Sequence, residues 1–179
     1  GPYRYGTTVS AAIRCRQPRI LPSLSRPTSI LCAVIGRKRG TDVLRPLSAE
    51  HPDDETFEGL LIVRPEGRLF FVNAQNVAEQ IDALVTQYQP RVLALDMSRV
   101  PDIEYSALQA LMEGEKRVTK RGVDVWLAGL NPGVLESVRH AGLDQRLGRE
   151  RMLFNARAVI ERYQAMRATA GGMPPPSAS

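Results

Sequence analysis

The residues best placed to do chemistry in this chain lie between positions 96 and 106. Asp96 and Ser98 follow a short apolar run, Val92, Leu93, Ala94 and Leu95, while Glu104, Tyr105 and Ser106 follow Pro101 and Asp102 where a helical pattern begins. A carboxylate and a hydroxyl at the end of a buried strand would face the unpaired backbone N–H groups of a helix start. Such groups can receive an anion or a phosphorylated hydroxyl. The same residues also fit a purely local use, in which Asp96 and Asp102 accept bonds from helix and loop donors and Ser106 packs or back-bonds within its own helix. Both readings fit the spacing, and neither supplies a nucleophile with its base.

Other chemistry-bearing residues are scattered. His51 falls in a polar stretch, and His140 near a helix end where the dipole favours a cation; neither has a partner at metal spacing. Asp53, Asp54 and Glu55 are adjacent, but their spacing matches no calcium loop and reads as a solvated stretch. Cys15 and Cys32 are the only cysteines, too few for a disulfide framework, which points to reduced thiols. The sequence has no phosphate-cradling G-x-x-x-x-G-K-[ST], no G-x-G-x-x-G and no G-x-S-x-G elbow. No metal, no cofactor and no enzymatic activity are expected.

The elements that must position the 96–106 corner follow from periodicity. The run 92–95 suits a strand buried on both faces. The helix from about 103 to 121 places Tyr105, Leu108, Leu111 and Met112 on one face, and Gly122 stops it. Before the corner, 30–35 is strand-like, 36–40 a basic turn and 41–58 a long polar loop. Residues 60–63 and 69–72 read as two strands joined through Pro65, Glu66 and Gly67. A helix follows with Val77, Ile81, Leu84, Val85 and Tyr88 in one stripe. Asn73 or Asn76 caps it, Asn76 with Glu79 matches a capping box, and Pro90 ends it. After the corner come a strand over 123–128 with Trp126 in the core, and a helix opened by Asn131 and Pro132. Gly142 closes that helix, a short strand spans 151–154, and a last helix starts at Asn155 with Ala156, Val159, Ile160 and Tyr163 buried. Alternating strands and helices predict an α/β fold around a small, mixed, mostly parallel sheet, with the first strands able to form an antiparallel edge. In an open α/β sheet, ligands and switches gather at the strands' carboxyl ends.

The 179 residues allow one domain with loose ends, and 43% hydrophobic content is enough for a core. The net charge of +5 is unevenly placed: eight cations and no acid precede Asp42, leaving sixteen cations against nineteen acids, about −3, for the rest. A nucleic-acid binder would carry its cations on a folded face, so no nucleic-acid partner is expected. A basic arm suits the cytoplasmic flank of a membrane span, and equally an expression remnant or disordered leader. The apolar runs are a few residues long, so none of them is expected to span a bilayer, and no secretion-signal pattern is seen. The expected organisation is a basic arm over 1–29, a domain over 30–167 and a loose tail over 168–179.

The run LALDMSRVPDIEYSALQAL, followed by RGVDVWLAGLNPGVLESVRHAGL, resembles the STAS domain (sulphate transporter and anti-sigma factor antagonist). The resemblance covers about residues 30–165. Its most specific parts are the Asp96–Ser98 corner, the helix start at 103–108 and the junction through Gly129, Asn131 and Pro132. The stretch through Gly36, Gly40, Thr41 and Asp42, the long loop before Leu60, and Arg64-Pro with Phe70-Phe71-Val-Asn73 are similar to the C-terminal domain of SulP-type anion transporters. The resemblance implies a small sheet with helices packed mainly on one side. It also implies a regulatory or assembly role at the cytoplasmic side of a membrane transporter whose spans precede residue 30. The implied partners are that transporter's membrane domain, a homodimer through the full-length transporter, and a cytosolic regulatory protein. The alternative is a stand-alone anti-sigma antagonist, a partner switch driven by phosphorylation. Those antagonists carry D-S-S-G, with phosphate on the first serine. Here Glu104, Tyr105, Ser106 and Ala107 match it, so tyrosine stands at the phosphoacceptor position and Ser106 at the second serine.

Overall fold

A computed structural model of the chain describes residues 32–171; expectations for the N-terminal arm and the end of the tail lie outside the described residues. The strands are β1 (Cys32–Arg37), β2 (Leu44–Pro46), β3 (Leu60–Pro65), β4 (Val92–Asp96), β5 (Asp124–Ala128) and β6 (Met152–Leu153). The helices are α1 (Phe71–Tyr88), α2 (Tyr105–Lys120), α3 (Pro132–His140), α4 (Leu143–Leu147) and α5 (Ala156–Gly171). All six strands form one sheet in the order β2-β1-β3-β4-β5-β6. From β3 to β6 the pairing is parallel, while β1 runs antiparallel to both β2 and β3. The α/β layering and the antiparallel edge are as the sequence predicts.

Strand alternation divides the core in two. In β3 and β4, Leu61, Val63, Leu93 and Leu95 point to the face covered by α1, α2, α3 and α4. Their neighbours Leu60, Ile62, Val92 and Ala94 point to the other face, where Trp126, Ala156, Val159, Ile160 and Tyr163 close the second core under α5. The near-continuous apolar runs of the central strands reflect this burial on both sides. Helices therefore lie mainly, though not wholly, on one face.

Four expectations need correction. Residues 69–72 are not a strand: Leu69 makes a single parallel bridge with Ile103, and α1 already begins at Phe71. Asn73 causes this, since its Oδ1 accepts from Phe70 N at 2.9 Å and its Nδ2 donates to Arg68 O at 2.8 Å. The 41–58 loop contains β2, and ion pairs fasten the rest of it: Arg37 to Glu55 at 2.7 Å and Arg45 to Asp54 at 2.8 Å. Tyr105 does not join the buried stripe of α2. It is the first helical residue, lies at the end of the sheet and is 69% exposed, leaving Ala107, Leu108, Met112 and Val118 to face the core. Finally, α4 follows Gly142 at once, and α5 continues past Ala168 to Gly171. Trp126 is core, at 2% exposure, and Asn131 with Pro132 opens α3 as expected.

Candidate functional site

The carboxyl ends of β3, β4, β5 and β6 share one end of the sheet, and α1, α2, α3 and α5 begin there. Asp96 is the last residue of β4 and is 2% exposed. A charge so buried requires a partner. Arg64, from β3, supplies it: Nε and Nη2 donate to Asp96 Oδ2 at 2.8 and 2.7 Å. The other carboxylate oxygen, Oδ1, accepts from Ser98 N at 3.1 Å and so opens the short 3-10 turn Met97–Arg99. Gly129, at the end of β5, holds a left-handed φ of +67°, and a Cβ there would come within 2.9 Å of Asp96 Oδ1. Glycine is thus needed both for the turn and to let the β5 backbone pass the carboxylate. Both Asp96 oxygens are committed, and this part of the corner is closed.

The loop beyond Asp96 is pinned from two sides. Asn131 Nδ2 donates to Val100 O at 2.9 Å and to Pro101 O at 3.1 Å, while its Oδ1 accepts from Val134 N at 3.0 Å as the N-cap of α3. On the other side, Leu69 N donates to Asp102 O at 3.0 Å and Glu104 N to Leu69 O at 2.8 Å. These two bonds lay the start of α1 beside the start of α2. Arg68 spans the pair, reaching Asp102 at 3.0 Å and Glu104 at 3.7 Å.

At α2 itself the arrangement is open. Glu104 is the N-cap but its side chain makes no cap bond within α2, accepting instead from Phe71 N at the start of α1 at 3.5 Å, and the described residues provide no acceptor for the N–H groups of Tyr105 and Ser106. Ser98, Glu104, Tyr105 and Ser106 are all exposed. The structure therefore brings the five sequence-selected residues to one end of the sheet but divides them. Asp96 is sealed, and Ser98, Glu104, Tyr105 and Ser106 face outward. Such an arrangement can bind through backbone donors and side-chain contacts. It contains no nucleophile–base pair, and among the described residues no three His, Cys, Asp or Glu side chains converge on a point that could hold a metal. Cys32 enters β1 at this end, opposite Pro65, and burial pushes its thiol up to about 12, so it stays protonated at neutral pH.

Sequence reasoning misses two members of the site, Arg64 and Arg68. Arg64 leaves a signal, as the one charge within the strand sequence LLIVRP. Arg68 leaves none, because its partners are set by the α1–α2 pairing.

Comparison with known proteins agrees with this architecture. The family model of the STAS domain matches residues 51–159. "High affinity sulfate transporter 2" of Stylosanthes hamata is 29% identical over 155 residues, covering 81% of this chain and 23% of that transporter. The chain thus spans about a quarter of that relative's length. Among solved structures, the SulP transporter STAS domain from Vibrio cholerae is similar with a TM-score of 0.55 at 24% identity, over 67% of this chain and 93% of that one. The murine solute carrier 26 family member A9 anion transporter gives a TM-score of 0.65 at 19% identity, over 74% of this chain and 22% of that one. The unphosphorylated anti-sigma factor antagonist SpoIIAA gives 0.52 at 13% identity, over 62% of this chain and 93% of that one. At these identities the three structures speak for the fold alone. With the family model matching more than half of the sequence, the chain belongs to the STAS domain family.

Proposed function

We propose that this chain is the regulatory and interaction domain of a SulP-like secondary active transporter for sulfate or another inorganic anion. It sits at the cytoplasmic side of the membrane and acts through protein contacts. One observation carries this reading: sequence similarity to a sulfate transporter extends over 81% of the chain, whereas the likeness to SpoIIAA is one of fold. The α2 start supports the same choice, because Tyr105 occupies the phosphoacceptor position of the antagonist motif. Its partners are the membrane domain of the same transporter, a second copy through the full-length protein, and a cytosolic regulator. The free N–H groups of Tyr105 and Ser106 suit weak binding of an anion or a nucleotide phosphate. No described helix is long and apolar enough to cross a membrane.

The test is to express the whole reading frame in cells lacking sulfate uptake and to measure radiolabelled sulfate entry, with and without residues 32–171. The reading expects several apolar segments of about 20 residues upstream, uptake by the full protein, and impaired uptake or membrane assembly without the domain. A reading frame lacking such segments, or uptake indifferent to the deletion, would contradict it. Intact-mass measurement after incubation with ATP and candidate kinases tests the partner-switch alternative, which requires phosphate on Ser106 or Tyr105.

A further inference from the structure

The sheet ends at β6, a strand of two residues with no neighbour on its outer side among the described residues. Its inner side is in use: Met152 and Leu153 pair with Leu127 and Ala128, and Gly129 N donates to Leu153 O at 3.2 Å. Just beyond it, Phe154 N has no acceptor among the described residues, and the Phe154 side chain is 89% exposed. An unpaired sheet edge is a template for another strand.

Beside this edge runs an open groove of about 520 Å³ between α3, α4 and β6. Its apolar wall includes Leu130, Leu135 and Met152, each half-buried. Its charges are Arg139 from α3, Arg149 from the turn before β6, and Asp144 from α4, two cations against one carboxylate. Both arginines are exposed, and among the described residues neither forms an ion pair or a side-chain hydrogen bond. Their neighbours Arg146 and Arg151 do, with Glu115 and Asp124. Asp144 Oδ1 is buried without a hydrogen-bond partner, so the groove wall also holds an unmet acceptor.

These features fit a polypeptide better than a small solute. The bare edge offers main-chain pairing, the apolar wall receives one side chain, and the unpaired arginines receive an acidic one. We propose that this edge groove binds an extended, acidic segment of a partner protein, laid beside β6. An apolar side chain of the segment packs against Leu130, Leu135 and Met152, and a carboxylate faces Arg139 and Arg149. In an extended chain, side chains two positions apart share a face, so the segment carries its acidic and apolar residues at i and i+2. An edge of two residues gives few main-chain bonds, so the groove supplies the selectivity. The proposal rests on the reading of this chain as a domain that acts through protein contacts. It adds which face makes one such contact and the chemistry that face selects.

The test is amide NMR shift mapping on the whole chain, titrated with acetylated and amidated hexapeptides. TETLTV places an acid and two apolar residues on one face, TKTLTV reverses the charge, and TETSTS removes the apolar pair. TETLTV should shift the amides of Leu130, Leu135, Arg139, Met152 and Phe154, and should bind at least about tenfold more tightly than the other two. Arg139→Glu combined with Arg149→Glu should invert the preference between TETLTV and TKTLTV. Both positions are exposed and unpaired, and unchanged amide shifts elsewhere would show that the fold is kept. Phe154→Ser should weaken TETLTV, whereas Arg99→Glu, at an exposed position outside the groove, should not. No shift at these amides with TETLTV up to about 5 mM, equal affinity for TKTLTV, or a preference that the double variant fails to invert would overturn the proposal. Shifts at the groove that follow the concentration of the chain alone would assign the face to a second copy and overturn it as well. Each of these failures leaves the proposed function standing, because that reading is judged by sulfate uptake. Uptake indifferent to the domain would remove that reading and leave the peptide result as measured.

Discussion

The starts of α2 and α3 lie at the same end of the same sheet, and they are built in opposite ways. At α3, Asn131 caps Val134 N and donates to two carbonyls of the loop between β4 and α2, and Pro132 fills the first turn. At α2, Glu104 makes no cap bond to its own helix, and Tyr105 and Ser106 present free N–H groups and exposed side chains. Between them the Arg64–Asp96 pair fixes the strand end from which both loops depart. One start is therefore finished within the fold. The other is held in place by the start of α1, through Arg68, Leu69 and Phe71, with the N–H groups of Tyr105 and Ser106 left unbonded. The contrast teaches that the corner splits into a support and a contact surface, and that burial, rather than residue type, decides which is which.

Substitutions can break that contrast, the buried support most severely. Asp96→Ala should leave the Arg64 guanidinium nearly buried without its anion and free the Ser98 turn, lowering stability by about 3–5 kcal/mol in urea unfolding. Asn131→Ala should cost about 1–2 kcal/mol, since a helix cap and two loop bonds go together. At the open start, Glu104→Ser should change stability by less than about 1 kcal/mol, since the cap it supplies to α2 is set against the exposed Arg68 pair and the long Phe71 N bond it removes. Tyr105→Ala should stay within about 0.5 kcal/mol of the parent. If Tyr105→Ala proved as damaging as Asn131→Ala, the two starts would not differ as described.

A last effect lies outside the corner. The hydrogen bond from Arg45 holds the Asp54 carboxyl below the ordinary carboxylate value. The stability this adds is fully present above the unfolded value of about 3.9 and is lost as pH falls through the lowered folded value. Asp54→Asn should therefore flatten the acid limb of a stability–pH curve while leaving the response of the α2 start unchanged.

Much of this was legible in the sequence because it is local. The strand over 92–95, the stripe Val77, Ile81 and Val85, and the Asn131–Pro132 start each follow from periodicity or from a cap within a few residues. What was not legible depends on distant pairing. Phe70, Phe71 and Val72 have strand propensity, yet Asn73 and the Leu69–Ile103 bridge turn them into a helix start. The β2 edge is held by Arg45–Asp54 and by pairing with β1, neither of which has a period. Asp96 was identifiable as a site residue, but its burial was not, because Arg64 stands 32 residues earlier in the chain. The same gap hid the split between sealed and open halves of the corner.

That split is tested most directly by amide hydrogen exchange on the chain itself, resolved residue by residue over 96–108 and 131–135. The N–H groups of Ser98 and Val134, bonded to Asp96 and Asn131, should exchange slowly, while those of Tyr105 and Ser106 should exchange close to the rate of an unstructured peptide. Protection at Tyr105 and Ser106 equal to that at Val134 would mean that the α2 start is already satisfied within the fold, and the case for an open contact surface there would be lost.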